Sequence, residues 1–211
     1  MATLKERIIE SSLDLFEKHG YHGVSVNQIV ERCGASKGGF YHYFQSKDEL
    51  LYVIHDTFIT YVLKKANQAK KQYDTPTKQL QAIVYSFVRV FDIYKAHISV
   101  FYQESTYLKP EYEELIKKKR DQFKRNIFHV VEEGQQAGEF RSELPPNIAG
   151  MAILGMVNWT YKWYRKDGAQ SIDDIASVFV DFILHSLLTP DAKKCDCNKS
   201  FLIKNEVHHN G

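Results

Sequence analysis

Apolar positions near the start of the chain recur at helical spacing in short runs, each bounded by residues suited to helix ends. Thr3-x-x-Glu6 has the form of a capping box: a hydroxyl accepts from a free backbone N–H while a carboxylate reaches back. Ile9, Leu13 and Phe16 follow at +4 and +3 and give one apolar stripe up to Gly20. Ser25-x-x-Gln28 repeats the capping pattern. Val26, Ile29, Val30 and Cys33 then fall at i, i+3, i+4 and i+7, and Gly34 ends the run. Ser36 is placed to cap a third short helix, and Ser46-x-x-Glu49 opens a fourth that extends to about Gln72.

The same punctuation continues. Thr75-Pro76 pairs a cap with proline at the first helical position. Lys109-Pro110-Glu111 repeats it, with Glu113 and Glu114 well placed against the helix dipole. Pro145-Pro146 starts a helix expected to end near Gly168, and Ser171-x-x-Asp174 begins one that Pro190 stops. No strand pattern competes and no repeat is evident. The expectation is an all-α protein of about nine helices with short connections. Residues 191–211 lack periodicity and are expected to form a disordered tail.

Composition narrows the class. Apolar residues make up 44% of the chain, enough for a real core, and no run approaches the roughly 18 apolar residues of a membrane span. Ile175–Leu188 comes nearest and is interrupted by Asp181 and His185. The start, through Arg7, has neither an apolar run nor a small-residue cleavage site, so no secretory leader is expected. Cys33, Cys195 and Cys197 form no disulfide framework, and a reduced, cytoplasmic protein is expected. The net charge is only +2, and residues 1–47 hold six Lys/Arg against five acids. If this segment binds nucleic acid, placed contacts must do so rather than a bulk positive field.

Three short helices, the second and third joined by a tight turn at Gly34, make a helix-turn-helix arrangement, in which the third helix enters the major groove. Ser25 and Ser36 stand at helix starts where hydroxyls can face phosphates. Lys37, Tyr41 and His42 are its polar positions, and Phe40 and Phe44, at i and i+4, hold that helix on its own core. Gly38-Gly39 costs roughly 1 kcal/mol per glycine relative to alanine, and the favoured reading is bare backbone for close approach to DNA.

Gly34-Ala-Ser-Lys-Gly-Gly-Phe-Tyr-His-Tyr-Phe-Gln-Ser-Lys-Asp-Glu-Leu50 resembles the signature of the tetracycline-repressor family, and the match extends upstream through Ile8, Phe16, Gly20-Tyr21, Val26 and Ile29. The resemblance implies that Ser25, Gln28, Ser36, Tyr41 and Lys47 hold phosphates, and that Asn27, Lys37, Gly39, His42 and Tyr43 lie at or near base edges. For Tyr41 and Tyr43 core packing is the alternative. It further implies residues 1–47 as DNA-binding domain and residues 48–190 as effector-binding and dimerisation domain. The partners so implied are double-stranded operator DNA, a small-molecule effector and a second copy of the chain.

In the larger region, Ala152, Met156, Trp159 and Trp163 form one helical stripe, with Leu154, Asn158, Tyr161 and Arg165 beside it. A helix apolar over so much of its surface must be covered on more than one side. The last helix offers Ile175, Val178, Phe179, Phe182, Ile183 and Leu187. Trp163, Val178, Phe179 and Phe182 are therefore dimer-interface candidates, and a two-fold dimer suits two half-sites one DNA turn apart. Phe87, Phe91, Phe101, Tyr102, Tyr107, Asn158 and Trp159 are candidates to line an effector pocket, with ordinary core packing the alternative for each. Asn158-Trp-Thr-Tyr-x-Trp-Tyr164 and Asp167-Gly168 are similar to regulators of fatty-acid, phenylacetate and steroid catabolism that sense acyl-coenzyme A thioesters. Lys117–Arg120, with Lys124 and Arg125, would then meet a coenzyme phosphate or simply be a solvated face.

Enzyme and metal readings have little behind them. No glycine-rich phosphate loop, nucleophile elbow or zinc-protease motif occurs, no cofactor or metal is expected, and Cys195-x-Cys197 with His208-His209 lacks standard zinc spacing. His42 and His55 suit surface or groove positions better than acid–base work. The leading expectation is a repressor released from DNA by an effector. A multidrug-responsive efflux regulator is the first alternative, for which Glu104 is the carboxylate to inspect, and a helical ligand-binding protein with a vestigial DNA motif is the second.

Overall fold

A computed structural model describes residues 2–195. The helices are α1 (Leu4–His19), α2 (Val26–Cys33), α3 (Lys37–Tyr43), α4 (Lys47–Gln72), α5 (Pro76–Ile93), α6 (Lys95–Glu104), α7 (Pro110–Gln136), α8 (Pro146–Asn158), α9 (Thr160–Trp163), α10 (Ile172–Leu187) and α11 (Pro190–Lys194), with a 3₁₀ turn at Ser105–Tyr107 between α6 and α7. Among the described residues there is no strand, only an isolated antiparallel bridge between Phe140 and Leu188. The fold is all-α.

The helix starts follow their capping residues. The Gln28 N–H donates to Ser25 Oγ at 3.3 Å while the Ser25 N–H donates to Gln28 Oε1 at 2.7 Å. Thr3 and Glu6 do the same for α1, and the Gly39 N–H donates to Ser36 Oγ at 3.0 Å to start α3. Gly34 closes α2 in the left-handed region (φ 65°, ψ 40°), where a side chain costs about 1–2 kcal/mol, so the α2–α3 turn is built around the one residue without a Cβ.

Two boundaries differ from the sequence expectation: Pro190 opens the short helix α11, so residues 191–194 are helical where a disordered tail is expected, and the helix of Pro146 stops early. The helix begun at Pro146 ends at Asn158, is followed by the short α9, and leaves helical geometry at Tyr164 rather than near Gly168. Tyr164 is extended (φ −67°, ψ 130°) and its hydroxyl donates to Asp92 on α5 at 2.7 Å. That long-range bond, invisible to local periodicity, fixes the exit. At the other end Thr189 caps α11, its hydroxyl accepting from the Ala192 N–H at 3.3 Å. Cys197, His208 and His209 lie outside the described residues.

The chain divides into two compact units. The first comprises residues up to Tyr61 together with Ile93–Asp121. Its core joins Ile8, Phe16, Ile29, Phe40, Phe44 and Leu50, among others, around the first four helices. Cys33 is a free, buried thiol there. The second unit comprises Val62–Asp92 and residues 122–195. There α5 contributes Leu80, Ile83 and Phe87, and α10 contributes Ala176, Ile183 and Leu184 to the buried interior, with Phe87 edge-on to Phe123 of α7 at 4.8 Å.

Candidate nucleic-acid interface

The amphipathic pattern of α2 and α3 decides what they present. Ile29, Val30 and Cys33 are buried, and Phe40 and Phe44, with ring centroids 5.7 Å apart, anchor α3 to the same core. The positions between them face outward. Ser25, Asn27, Gln28, Ser36, Lys37, Gly38, Tyr41, His42 and Tyr43 are all exposed, and Gly39 is half-buried. Tyr41 and Tyr43 are 53% and 38% exposed, so core packing does not account for them. The His42 and Tyr43 rings meet edge to face at 4.7 Å, which stiffens the outer end of α3.

The paired glycines have different surroundings. A Cβ at Gly38 would meet nothing closer than Ser36 Oγ at 3.7 Å, so its bareness answers to no internal contact. A Cβ at Gly39 would come within 3.2 Å of Leu4 Cδ2 on α1. Gly39 thus has an internal packing reason that Gly38 lacks, a distinction that two adjacent identical residues do not carry in the sequence.

Lys47 is only partly a surface residue. Its ammonium donates to the carbonyls of Tyr21 and Val24 at 2.8 and 2.6 Å and sits 4.2 Å from the Tyr21 ring centroid. Desolvation pulls its pKa down, with Asp48 opposing. It therefore clamps the α1–α2 turn onto the start of α4. Beside it the Tyr21 hydroxyl donates to Asp48, whose other oxygen pairs with Lys109 at 2.9 Å. These bonds hold the Asp48 carboxyl below its usual range, the Tyr21 hydrogen bond first, and burial pushes the Tyr21 hydroxyl up. Tyr107 stacks over Tyr21 at 6.1 Å and meets the His22 ring at 4.2 Å. The sequence does not pair Asp48 with Lys109, since 61 positions separate them and they share no local pattern.

The effector-pocket candidates are divided between the two units. In the second unit, Phe87 and Phe91 are buried with ring centroids 6.1 Å apart. In the first unit, Phe101 is buried and adjoins Tyr102, which is 40% exposed, while Tyr107 lies against Tyr21 and His22. Asn158 is half-buried and Trp159 is 62% exposed. Of the interface candidates, Val178 and Phe182 are exposed and Trp163, also exposed, meets half-buried Phe179 at 6.3 Å. Ile148 and Met151 on α8 are exposed as well, whereas Ile175, Ile183 and Leu187 turn into the core.

His55 corrects the sequence expectation. It is fully buried rather than at a surface or groove position, because it follows Leu51 by one helical turn on the inner face of α4. Neither ring nitrogen has a hydrogen-bond partner, and burial together with His97 holds its pKa down at about 4. Glu104 is buried as well. Among the described residues no group of three or more His, Cys, Asp or Glu is arranged to hold a metal ion, and no helix is long and apolar enough to cross a membrane.

A capped two-helix unit with a glycine turn, presenting polar and aromatic side chains from a helix anchored by two phenylalanines, defines a helix-turn-helix DNA-binding protein. Comparison with known proteins carries this to a family. Residues 8–53 match the family described as bacterial regulatory proteins, tetR family, and residues 73–187, more than half of the chain, match the tetracyclin repressor-like C-terminal domain. The chain belongs to the tetracycline-repressor family of DNA-binding transcription regulators. It is 21% identical over 187 residues to the HTH-type transcriptional repressor KstR2 of Rhodococcus jostii, covering 88% of this chain and 92% of that protein. Among solved structures, the TetR-family transcriptional regulator PfmR from Thermus thermophilus superposes with a TM-score of 0.78 at 30% identity, covering 87% of this chain and 100% of that one. AibR in complex with isovaleryl coenzyme A and operator DNA superposes with a TM-score of 0.72 at 23% identity, covering 85% and 97%.

Proposed function

We propose that this chain is a cytoplasmic homodimeric repressor that holds a palindromic operator and is released from it by an acyl-coenzyme A thioester. The observation that carries the DNA half is the outward set on α2 and α3, in which every polar candidate from Ser25 to Tyr43 except half-buried Gly39 is exposed. Residues 1–47 act as the DNA-binding domain and residues 48–190 as the effector-binding and dimerisation domain. Ser25, Gln28, Ser36 and Tyr41 hold phosphates; Asn27, Lys37, His42 and Tyr43 approach base edges; Gly38 and Gly39 let the backbone come close. Lys47 contributes mainly by fixing the turn it clamps.

Dimerisation uses the apolar side chains of exposed Trp163, Val178 and Phe182 with half-buried Phe179, for which a second copy is the natural cover. The ligand half is supported by AibR, whose solved complex holds both isovaleryl coenzyme A and operator DNA, and by the similarity of the 158–168 segment to acyl-coenzyme A-sensing regulators. The chain acts by binding rather than by catalysis, and needs no cofactor. An effector coupling of roughly 1–3 kcal/mol would weaken operator binding about 5- to 150-fold.

Buried Glu104 favours a second reading, a cationic drug as effector. One screen separates the two: thermal shift of the purified protein against acyl-coenzyme A thioesters of varied chain length and against lipophilic cations, followed by operator-binding assays with each hit. A ligand at 100 times its Kd stabilises by about 2.7 kcal/mol. Thioester hits that release DNA support the proposal; cation hits that do so, and lose effect in Glu104→Gln, replace it.

A further inference from the structure

His55 stands out among the buried polar groups of the first unit. Its side chain is completely enclosed, yet neither Nδ1 nor Nε2 has a hydrogen-bond partner. Interior polar atoms are nearly always paired, because an unpaired one loses its water without replacement. The Phe101 ring meets the imidazole at 5.0 Å, and Phe101 also packs on Phe58 at 5.2 Å, so this neighbour offers only ring surface. His97, on α6, approaches closely enough to disfavour a charge on His55, and the Tyr94 ring closes on His97 at 5.3 Å. Burial keeps both imidazoles neutral near pH 7, with pKa values held at about 4. A neutral imidazole carries one N–H donor and one lone-pair acceptor. Among aromatic neighbours it suits an uncharged polar group, since a buried ion would require a paired counter-charge.

We propose that His55 is the hydrogen-bonding group for the buried part of the effector, and that the group it reads is an uncharged carbonyl on an otherwise apolar ligand. A thioester, ester or ketone oxygen accepts the imidazole N–H, and the aromatic neighbours receive the chain on either side. This deepens the proposed function and rests on the chain being ligand-responsive, but it concerns the acyl end of the ligand and not its coenzyme.

The test uses matched pairs on the full-length protein by calorimetric titration. The first pair is octanoyl-coenzyme A and S-octyl-coenzyme A, which differ by the carbonyl; the second is 2-nonanone and nonane, which lack the coenzyme. Wild type is expected to prefer the carbonyl member of a pair by roughly 10- to 100-fold. His55→Phe keeps the ring volume, and is expected to abolish that preference by weakening the carbonyl member alone. His55→Gln restores an N–H donor and is expected to recover part of the preference, a rescue that a purely structural role would not give. Circular dichroism and cooperative unfolding establish that each variant is folded; if the phenylalanine variant is not, the glutamine variant and the wild-type ratio decide. If wild type shows no preference within either pair, or the phenylalanine variant keeps it, the proposal is overturned while the acyl-coenzyme A reading stands. If only the ketone pair binds, with the preference lost in His55→Phe, the coenzyme reading fails and the role of His55 stands. If none of the four binds wild type, both fail.

Discussion

Gly38 and Lys37 sit side by side on α3, and each offers a separate test of what that helix does. Gly38→Ala meets no obstacle inside the protein, so the fold should gain up to about 1 kcal/mol from helix propensity. If bare backbone serves close approach to DNA, the same substitution should weaken operator binding, read by fluorescence anisotropy beside a denaturant curve. A variant that is stabilised and binds equally well would assign the glycine to simple tolerance. Lys37→Ala is the cleaner charge probe than Lys47→Ala, because the Lys47 ammonium is committed to the Tyr21 and Val24 carbonyls and its loss would disturb the turn as well.

The histidines set a pH dependence. Folding lowers the His55 and His97 values from 6.5 to about 4, so on acidification the unfolded chain takes up protons before the folded one. Their stabilising contribution is complete above about pH 6.5 and is lost as pH falls towards 4. The urea midpoint should therefore decline across that window, and decline less in a folded His55→Phe/His97→Phe variant; equal slopes in both proteins would remove these histidines as the cause. Burial of His55 was within reach of the sequence, since Leu51 and Phe58 flank it at i−4 and i+3 on one stripe. Its lack of a partner was not, because that depends on what α6 brings opposite.

At the scale of elements, capping chemistry was the most legible part of the chain. Thr3, Ser25, Ser36, Ser46 and Ser171 all cap as their spacing predicts, because the cap and its partner lie within one turn. The α2–α3 turn is legible for the same reason. Gly34→Ala places a Cβ at φ 65° and should cost about 1–2 kcal/mol, measured by chemical denaturation, with operator affinity falling as the two helices lose their fixed angle. An unchanged midpoint would mean that the turn relaxes to another geometry. What local pattern did not carry was any boundary set from a distance. The end of α9 rests on the Tyr164–Asp92 bond, and the seating of α4 rests on Asp48 meeting Tyr21 and Lys109. Neither pairing has a signature in spacing.

For the whole molecule, the apolar residues left outside both cores are the informative ones. Ile148, Met151, Trp159, Val178 and Phe182 are each at least half exposed, and a regulator reading two half-sites needs a symmetric partner to cover such a surface. Phe182→Glu should yield a folded monomer by sedimentation. A monomer engages a single half-site, so its operator affinity should fall by roughly 100-fold or more. A stable dimer in that variant would move the interface elsewhere on the chain. The stripe itself was legible in the sequence, but which of its members turn inward was settled only by packing, with Ile175 and Ile183 buried and Val178 and Phe182 outside.

The central claim is sequence-specific DNA binding through α3, and selection from a random duplex pool tests it with no operator sequence assumed. Wild type should enrich a two-fold symmetric site and bind it with strong salt dependence. Lys37→Ala should bind that site more weakly with the salt slope reduced by about 1. Failure of wild type to enrich any sequence, or equal binding and an equal slope in the variant, would contradict the account.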